Sequence, residues 1–316
     1  MSGTGAAGEC RPSLARGLWA LTYRELKKWL KDPVTLVMFV LQPLIWMGLL
    51  GKSLNIGGLF SANIISLPPQ VPIPGDAILH PPGLQGVVLN GEALARMFAD
   101  MGPGIMKGAF GVADYFSFMA VGIVSMIVVT TTMFSGMSIV WDRRLGFLDK
   151  VMSTPVSRAA IIFAKILNAT LRAMFQATVI LALAYLLGLQ LSPTFTPLNL
   201  LGVYAAIFLL SVGLSSIFIA FSIRSTRIER PMHFVGLITM PLMFSSNAFF
   251  PTRLMPSWMQ AVASVNPLTY LTDAIRQLTI LPLDATALLW DFTYLGLFAA
   301  ALATIGIVLS WRCLTR

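Results

Sequence analysis

The chain has 316 residues, 56% hydrophobic and 11% charged, with 22 Lys and Arg against 13 Asp and Glu for a net charge of +9. Soluble domains carry about 25% charged residues. The deficit, with several long charge-free runs, argues for one bilayer-embedded domain built of helices and against a soluble domain or a membrane barrel. The positive balance fits basic residues gathered on one side of a membrane better than nucleic-acid binding. Cys10 and Cys313 stand at opposite ends, and His80 lies far from His233, which argues against a disulfide framework or a metal cluster. The N-terminus lacks the short apolar core and small-residue cleavage site of a removable signal peptide.

Residues 1–12 are small and polar and predict a disordered tail. Residues 13–32 predict an amphipathic helix lying in the interface. Leu18, Leu21, Leu26, Trp29 and Leu30 give its apolar side; Arg16, Arg24, Lys27, Lys28 and Lys31 give a basic one. Asp32-Pro33 ends it and suits the start of the next helix. Residues 33–316 then predict six spans: Val34–Leu54 with a kink at Pro43, Tyr115–Trp141, Ala159–Leu189, Leu198–Ile223, Met232–Phe250 and Trp290–Trp311. With the N-terminus inside, sixteen of the 22 basic residues fall on the inner side and five outside, so both termini are expected in the cytoplasm of a cell-membrane protein. The long outer loop, 55–114, is rich in Pro and Gly and predicts one short helix, Glu92–Met101.

The sharpest local feature is a charged island between apolar runs, Asp142, Arg143, Arg144, Gly146, Phe147, Leu148, Asp149 and Lys150, opening a hairpin over 142–157. Phe147 and Leu148 read as an apolar anchor inside a charged rim, the arrangement of an interface hot spot; a plain solvated loop is the bland alternative. Gly51-Lys52-Ser53 looks like the end of a phosphate-binding loop, but Trp46 occupies the place of the required glycine. The chain is therefore expected to hydrolyse no ATP itself. Lys165, Asn168, Arg172 and Gln176 recur along one helical face. They read either as a pathway surface or as snorkelling side chains near the interface. Thr131 and Ser135, with Thr130, Thr132 and Ser138, either line a cavity or pack helices. Beyond the fifth span, residues 251–284 are too short and polar to cross, and predict broken helices dipping into the outer leaflet. Asp273 and Arg276 are spaced to pair on one face there.

Several motifs occur in a fixed order: Ala120-Val121-Gly122-Ile123, then Phe134-Ser135-Gly136-Met137-Ser138 with Trp141-Asp142-Arg143, then Pro155-Val156-Ser157-Arg158, then Ala248-Phe249-Phe250-Pro251, and finally Asn266-Pro267-Leu268-Thr269-Tyr270 with Asp273-Ala274-Ile275-Arg276. Together they resemble the membrane subunit of an ABC-2 type exporter, the class that includes daunorubicin-type drug exporters and polysaccharide exporters. The first outer loop is longer than is usual in the drug-exporter relatives. The resemblance implies a homodimer, or a pair of related chains, bound to two separate ATPase subunits that carry the ATP and magnesium. It implies that Asp142–Lys150 is the coupling helix and that Phe249, Phe250, Pro251, Asn266, Pro267, Tyr270, Asp273 and Arg276 belong to an outer gate. It places the second and fifth spans along the path; helical spacing then suggests Met240, Phe244, Asn247 and Phe249 as an apolar gate. The competing readings are a self-sufficient ion-coupled transporter or channel, which would want mid-membrane charges and internal repeats, and a membrane enzyme, which would want clustered acids at one face. Only Arg172 approaches the first, and Asp273, Asp284 and Asp291 are not clustered.

Overall fold

The computed structural model describes residues 14–52, 70–72, 88–90, 104, 106–112, 114–154, 156–225, 227 and 229–314. The expected tail 1–12, most of the outer loop 55–114 with its helix Glu92–Met101, and Pro155 lie outside the described residues. In chain order, α1 spans Leu14–Leu30 and α2 Pro33–Trp46, followed by a π turn, Met47–Lys52. Asp32 caps α2, accepting from the Thr35 amide at 3.2 Å, with proline in the first turn. Gln70–Pro72 (β1) and Val88–Asn90 (β2) form a short antiparallel pair with Val71 opposite Leu89. Then come α3 (Tyr115–Phe134), α4 (Met137–Arg144), α5 (Phe147–Met152), α6 (Arg158–Leu186), α7 (Asn199–Ile223), α8 (Glu229–Phe244), α9 (Ser257–Ser264), α10 (Pro267–Thr279) and α11 (Ala285–Leu314).

Five stretches among the described residues are long and apolar enough to cross a bilayer: Pro33–Gly51, Met106–Arg144, Arg158–Leu186, Asn199–Ile223 and Ala285–Arg312. The expected fifth span, Met232–Phe250, is shorter as a helix. α8 has 16 residues and stops at Phe244, and residues 245–250 form turns although Phe249 and Phe250 are apolar. At 1.5 Å per residue α8 is about 24 Å long. Hydropathy continues past Phe244, but a side chain takes a carbonyl that the next helical turn would use: Asn266 Nδ2 donates to Leu242 O at 2.7 Å. Beyond the helix end, Arg276 donates to Asn247 O at 2.8 Å and Ala248 O at 3.0 Å and holds the turn. The last span begins at Ala285 rather than Trp290, because Asp284 accepts from the amides of Thr286 and Ala287 and so starts the helix earlier.

α3 is the hub. It is buried on nearly every side over Tyr115–Ser125, as an all-round apolar helix must be, and packs against α6, α7, α10 and the π turn. Close approach there depends on glycine. A Cβ on Gly122 would sit 2.0 Å from the Ala248 carbonyl oxygen, and one on Gly136 2.6 Å from the Phe218 carbonyl oxygen. α7 and α11 make the most extensive helix pair, and small residues set their spacing: Gly306 lies against Ser216 and Gly213 against Ala299. Gly51 of the apparent phosphate-loop triplet packs on the Phe116 ring.

Gly122→Ala is expected to lower stability by about 1–3 kcal/mol, because backbone, not a flexible side chain, fills the space. Gly236→Ala, on the open face of α8, is expected to be neutral or slightly stabilising. Thermal unfolding of both variants in one detergent checks this; equal melting temperatures would contradict the packing account.

Candidate functional site

At the end of the bundle that carries α1, three charged side chains from three helices meet out of solvent. Lys165 of α6 donates to Glu25 Oε1 of α1 at 3.1 Å and to Asp142 of α4, all three side chains being less than a tenth exposed. Arg172, two turns further along α6, donates to the Glu25 carbonyl at 3.1 Å and holds its guanidinium 3.9 Å from the Glu25 carboxylate. Arg24 lies 3.5 Å from the same carboxylate and lays its guanidinium over the Phe147 ring of α5, 3.3 Å from the centroid. Burial alone would raise the Glu25 carboxyl; Lys165, helped by Arg24 and Arg172, brings it below its ordinary value.

The cluster fixes the hairpin. Arg143 extends it by donating to the Ile223 carbonyl at the end of α7, at 2.6 Å. Gly146 turns the chain between α4 and α5 with a φ of 65°, which favours glycine. Leu148 and Val151 pack inward with Ile161, beside Leu21 and Val156. The anchor expected at Phe147 and Leu148 is therefore corrected: Leu148 is a core residue and Phe147 is partly covered by Arg24. The apolar side chain at the hairpin tip is Leu145, 67% exposed, with Arg144, Asp149 and Lys150 around it in solvent. The basic face of α1 concealed Glu25 from sequence reasoning. One signal was available: Glu25 falls on the Leu18, Leu21, Thr22, Trp29 stripe, where a carboxylate needs a buried partner.

Beside the cluster lies a half-open cavity of about 500 Å³ between α2, α3 and α6. It brings Thr131 and Ser135 together with Lys165, Asn168, Arg172 and Gln176, and Thr131 donates to the Gln176 side-chain oxygen. Ser135 bonds back to Thr132 O at 2.6 Å, next to the break between α3 and α4.

The opposite end holds a second constellation. Arg276 is 2% exposed and gives its hydrogen bonds to main-chain carbonyls of Asn247, Ala248 and Phe118, with its guanidinium 3.5 Å above the Phe118 ring. The expected Asp273–Arg276 pair is corrected: Asp273 accepts from the Asn247 amide, and no Asp273–Arg276 ion pair occurs among the described residues. Asn266 caps α10 and reaches Ser245, while Pro267 occupies the first turn. Tyr270 stacks on Tyr294 and donates to Ser264 O at 2.6 Å. Asn247 is buried in this clamp, whereas Met240 and Phe244 stand exposed on α8, so the four gate candidates do not share one face. Phe244 stacks on Phe249; Phe250 is exposed and Pro251 buried.

The sequence profile of the ABC-2 type transporter family matches residues 16–280, from α1 through α10. The chain belongs to the ABC-2 type transporter family. This ABC-2 chain is 30% identical over 165 residues to the ycf38 protein of Cyanophora paradoxa, named as a transport permease, covering 52% of the chain and 56% of that protein. It is 28% identical over 210 residues to the daunorubicin resistance ABC transporter permease protein DrrB1 of Streptomyces coeruleorubidus, covering 66% and 72%. It is 28% identical over 168 residues to YbhR of Escherichia coli K12, named as a multidrug ABC transporter permease, covering 52% and 44%. The chain thus spans little more than half the length of the ycf38 relatives it matches.

Lys165→Met leaves Glu25 and Asp142 buried without their shared cation and is expected to destabilise this ABC-2 chain by about 3–5 kcal/mol. The triple change Glu25→Gln, Lys165→Met, Asp142→Asn is expected to recover most of the loss. Chemical denaturation in mixed micelles checks both; an unaffected single variant would refute the cluster's role. Because the folded carboxyl of Glu25 sits below its ordinary value, its stabilisation is complete above about pH 4.3 and is lost as pH falls through the folded value. A spin label at Arg16 is expected to stay immobile near pH 7 and gain mobility below pH 4.

Proposed function

We propose that this chain is the transmembrane subunit of an ATP-driven exporter. It would move an amphiphile of drug, lipid or glycan type outward through the cell membrane. Two separate ATP-binding cassette subunits would supply the energy, holding the ATP and magnesium, and a second copy of the chain would complete the transporter. The observation that carries this reading is the α4–α5 hairpin: two short helices, tied to α1, α6 and α7, with Leu145 at a charged tip. A tip held in this way can pass a push from a soluble partner to the spans.

On this reading the basic end, with both termini, faces the cytoplasm, and α1 lies along that interface. α8 with the turns after it makes the sixth crossing. α9 and α10 dip into the outer leaflet as gate elements, clamped to α3 and α8 by Arg276 and Asn266. Closure of the ATPases on ATP would move the hairpins as rigid bodies and shift the bundle from inward- to outward-open, by no more than the difference in ATP affinity between the two states. The apolar faces of α2 and α8, with Val37, Leu41, Met240 and Phe244 exposed, flank α3 and suit the partner copy. The names of DrrB1 and YbhR favour a drug among the substrate classes.

Leu145→Asp is expected to cut co-purification of the ATPase subunit from native membranes tenfold or more, as loss of a central interface anchor does, while the folded chain survives because Leu145 is exposed. Full ATPase association in that variant would sink the hairpin reading.

A further inference from the structure

The cavity between α2, α3 and α6 has the chemistry of a binding site. Its basic wall is supplied by α6, where Lys165 and Arg172 both face it, and no carboxylate among the described residues lines it. Lys165 already gives two of its donors to Glu25 and Asp142, which do not line the cavity. Arg172 Nη2 donates to the Glu25 carbonyl, but its buried Nε has no hydrogen-bond partner among the described residues. One turn earlier, Asn168 is 5% exposed and its buried Nδ2 is likewise without a partner among them. Buried donors left unpaired are costly, and the great majority of such groups are satisfied in folded proteins. Two such donors four residues apart on one helix, next to a cation, ask for an oxyanion. The rest of the lining is mixed: Val34, Met38 and Phe134 stand among Thr35, Gln42 and Thr131 on the α2 and α3 sides. The cavity therefore sets a donor-rich cationic wall beside sides of mixed apolar and polar character, at a volume of about 500 Å³, within the usual range for small-ligand pockets.

The geometry points to a binding site for the phosphoryl head of an amphiphile, with Asn168 Nδ2 and Arg172 Nε donating to phosphoryl oxygens and the acyl part lying along α2. The head could come from a membrane phospholipid or from free phosphate, and the two sources are separable. This site does not rest on the exporter reading, and its test needs no ATPase.

The full chain, purified in mild detergent, is titrated calorimetrically with dihexanoyl-phosphatidylglycerol, with dihexanoylglycerol, which lacks the phosphate, and with inorganic phosphate. Saturable binding of the phospholipid, and none of the dihexanoylglycerol, is expected. Phosphate that competes only far more weakly assigns the site to a lipid; phosphate that binds as tightly assigns it to a free anion. Asn168→Leu, close in volume, is expected to weaken binding about tenfold. Arg172→Lys keeps a charge beside Glu25 but removes the Nε donor and the Nη2 bond to the Glu25 carbonyl; it is expected to weaken binding by a similar factor, with a small fall in melting temperature. Equal binding of dihexanoylglycerol and the phospholipid, no binding of either phosphate compound, or unaltered affinity in both variants would overturn the assignment.

Discussion

Lys165 holds the basic end of this molecule together. One ammonium group, carried on α6, meets the carboxylates of Glu25 on α1 and Asp142 on α4 in a place shielded from solvent. Taking these charges out of water costs several kcal/mol per ion, and the cost is offset only if each finds its partners in good geometry. The arrangement therefore has few alternatives: α1 can dock in one register, and the hairpin can leave α3 in one direction. Arg24 over Phe147 and Arg143 on the Ile223 carbonyl add two further links, a cation–π contact and a hydrogen bond. A charged segment, for which a plain solvated loop is the bland alternative in the sequence, is a fixed projection of the bundle.

The far end uses the same device with a different cation. Arg276 has no carboxylate within ion-pair distance among the described residues; it gathers three main-chain carbonyls from two other segments. The two at Asn247 and Ala248 are available because the chain leaves the helical path after Phe244, and Gly122 lets the Ala248 carbonyl approach α3. α3 runs between the two constellations, touching the clamp at Phe118 and ending in the hairpin at Arg144 after a break at Ser135–Gly136. On the exporter reading, this makes α3 with α4 the direct mechanical connection between a partner at the hairpin and the elements around α10.

What was legible in the sequence followed from terms that act locally. Charge-free runs specify α3 and α7 because a bilayer admits little else, and Asp32-Pro33 specifies a helix start because cap chemistry lies within three residues. What was not legible depended on neighbours distant in the chain. Hydropathy carries the fifth span through Phe250, whereas Asn266 takes the Leu242 carbonyl at the end of the helix and Arg276 holds the turn beyond it. An apolar pair in a charged island can face either way, and only the Leu21, Val151 and Ile161 cluster decides that Leu148 faces in. Asp273 and Arg276 have the spacing to pair, yet each finds a closer partner in the turn at 247–248. The polar face of α6 was visible as a pattern, but the cavity it lines requires α2 and α3.

The central claim is that the ion cluster makes α1, the α4–α5 hairpin and the first turns of α6 one rigid body. Spin labels at Arg16 and Lys150, both exposed, measure that body directly by their distance distribution in the assembled transporter, nucleotide-free and ATP-bound. The account predicts one narrow distribution with the same centre in both states, and broadening when Lys165 is replaced by Met. A centre that shifts between the states, or a distribution that stays narrow without Lys165, would contradict it.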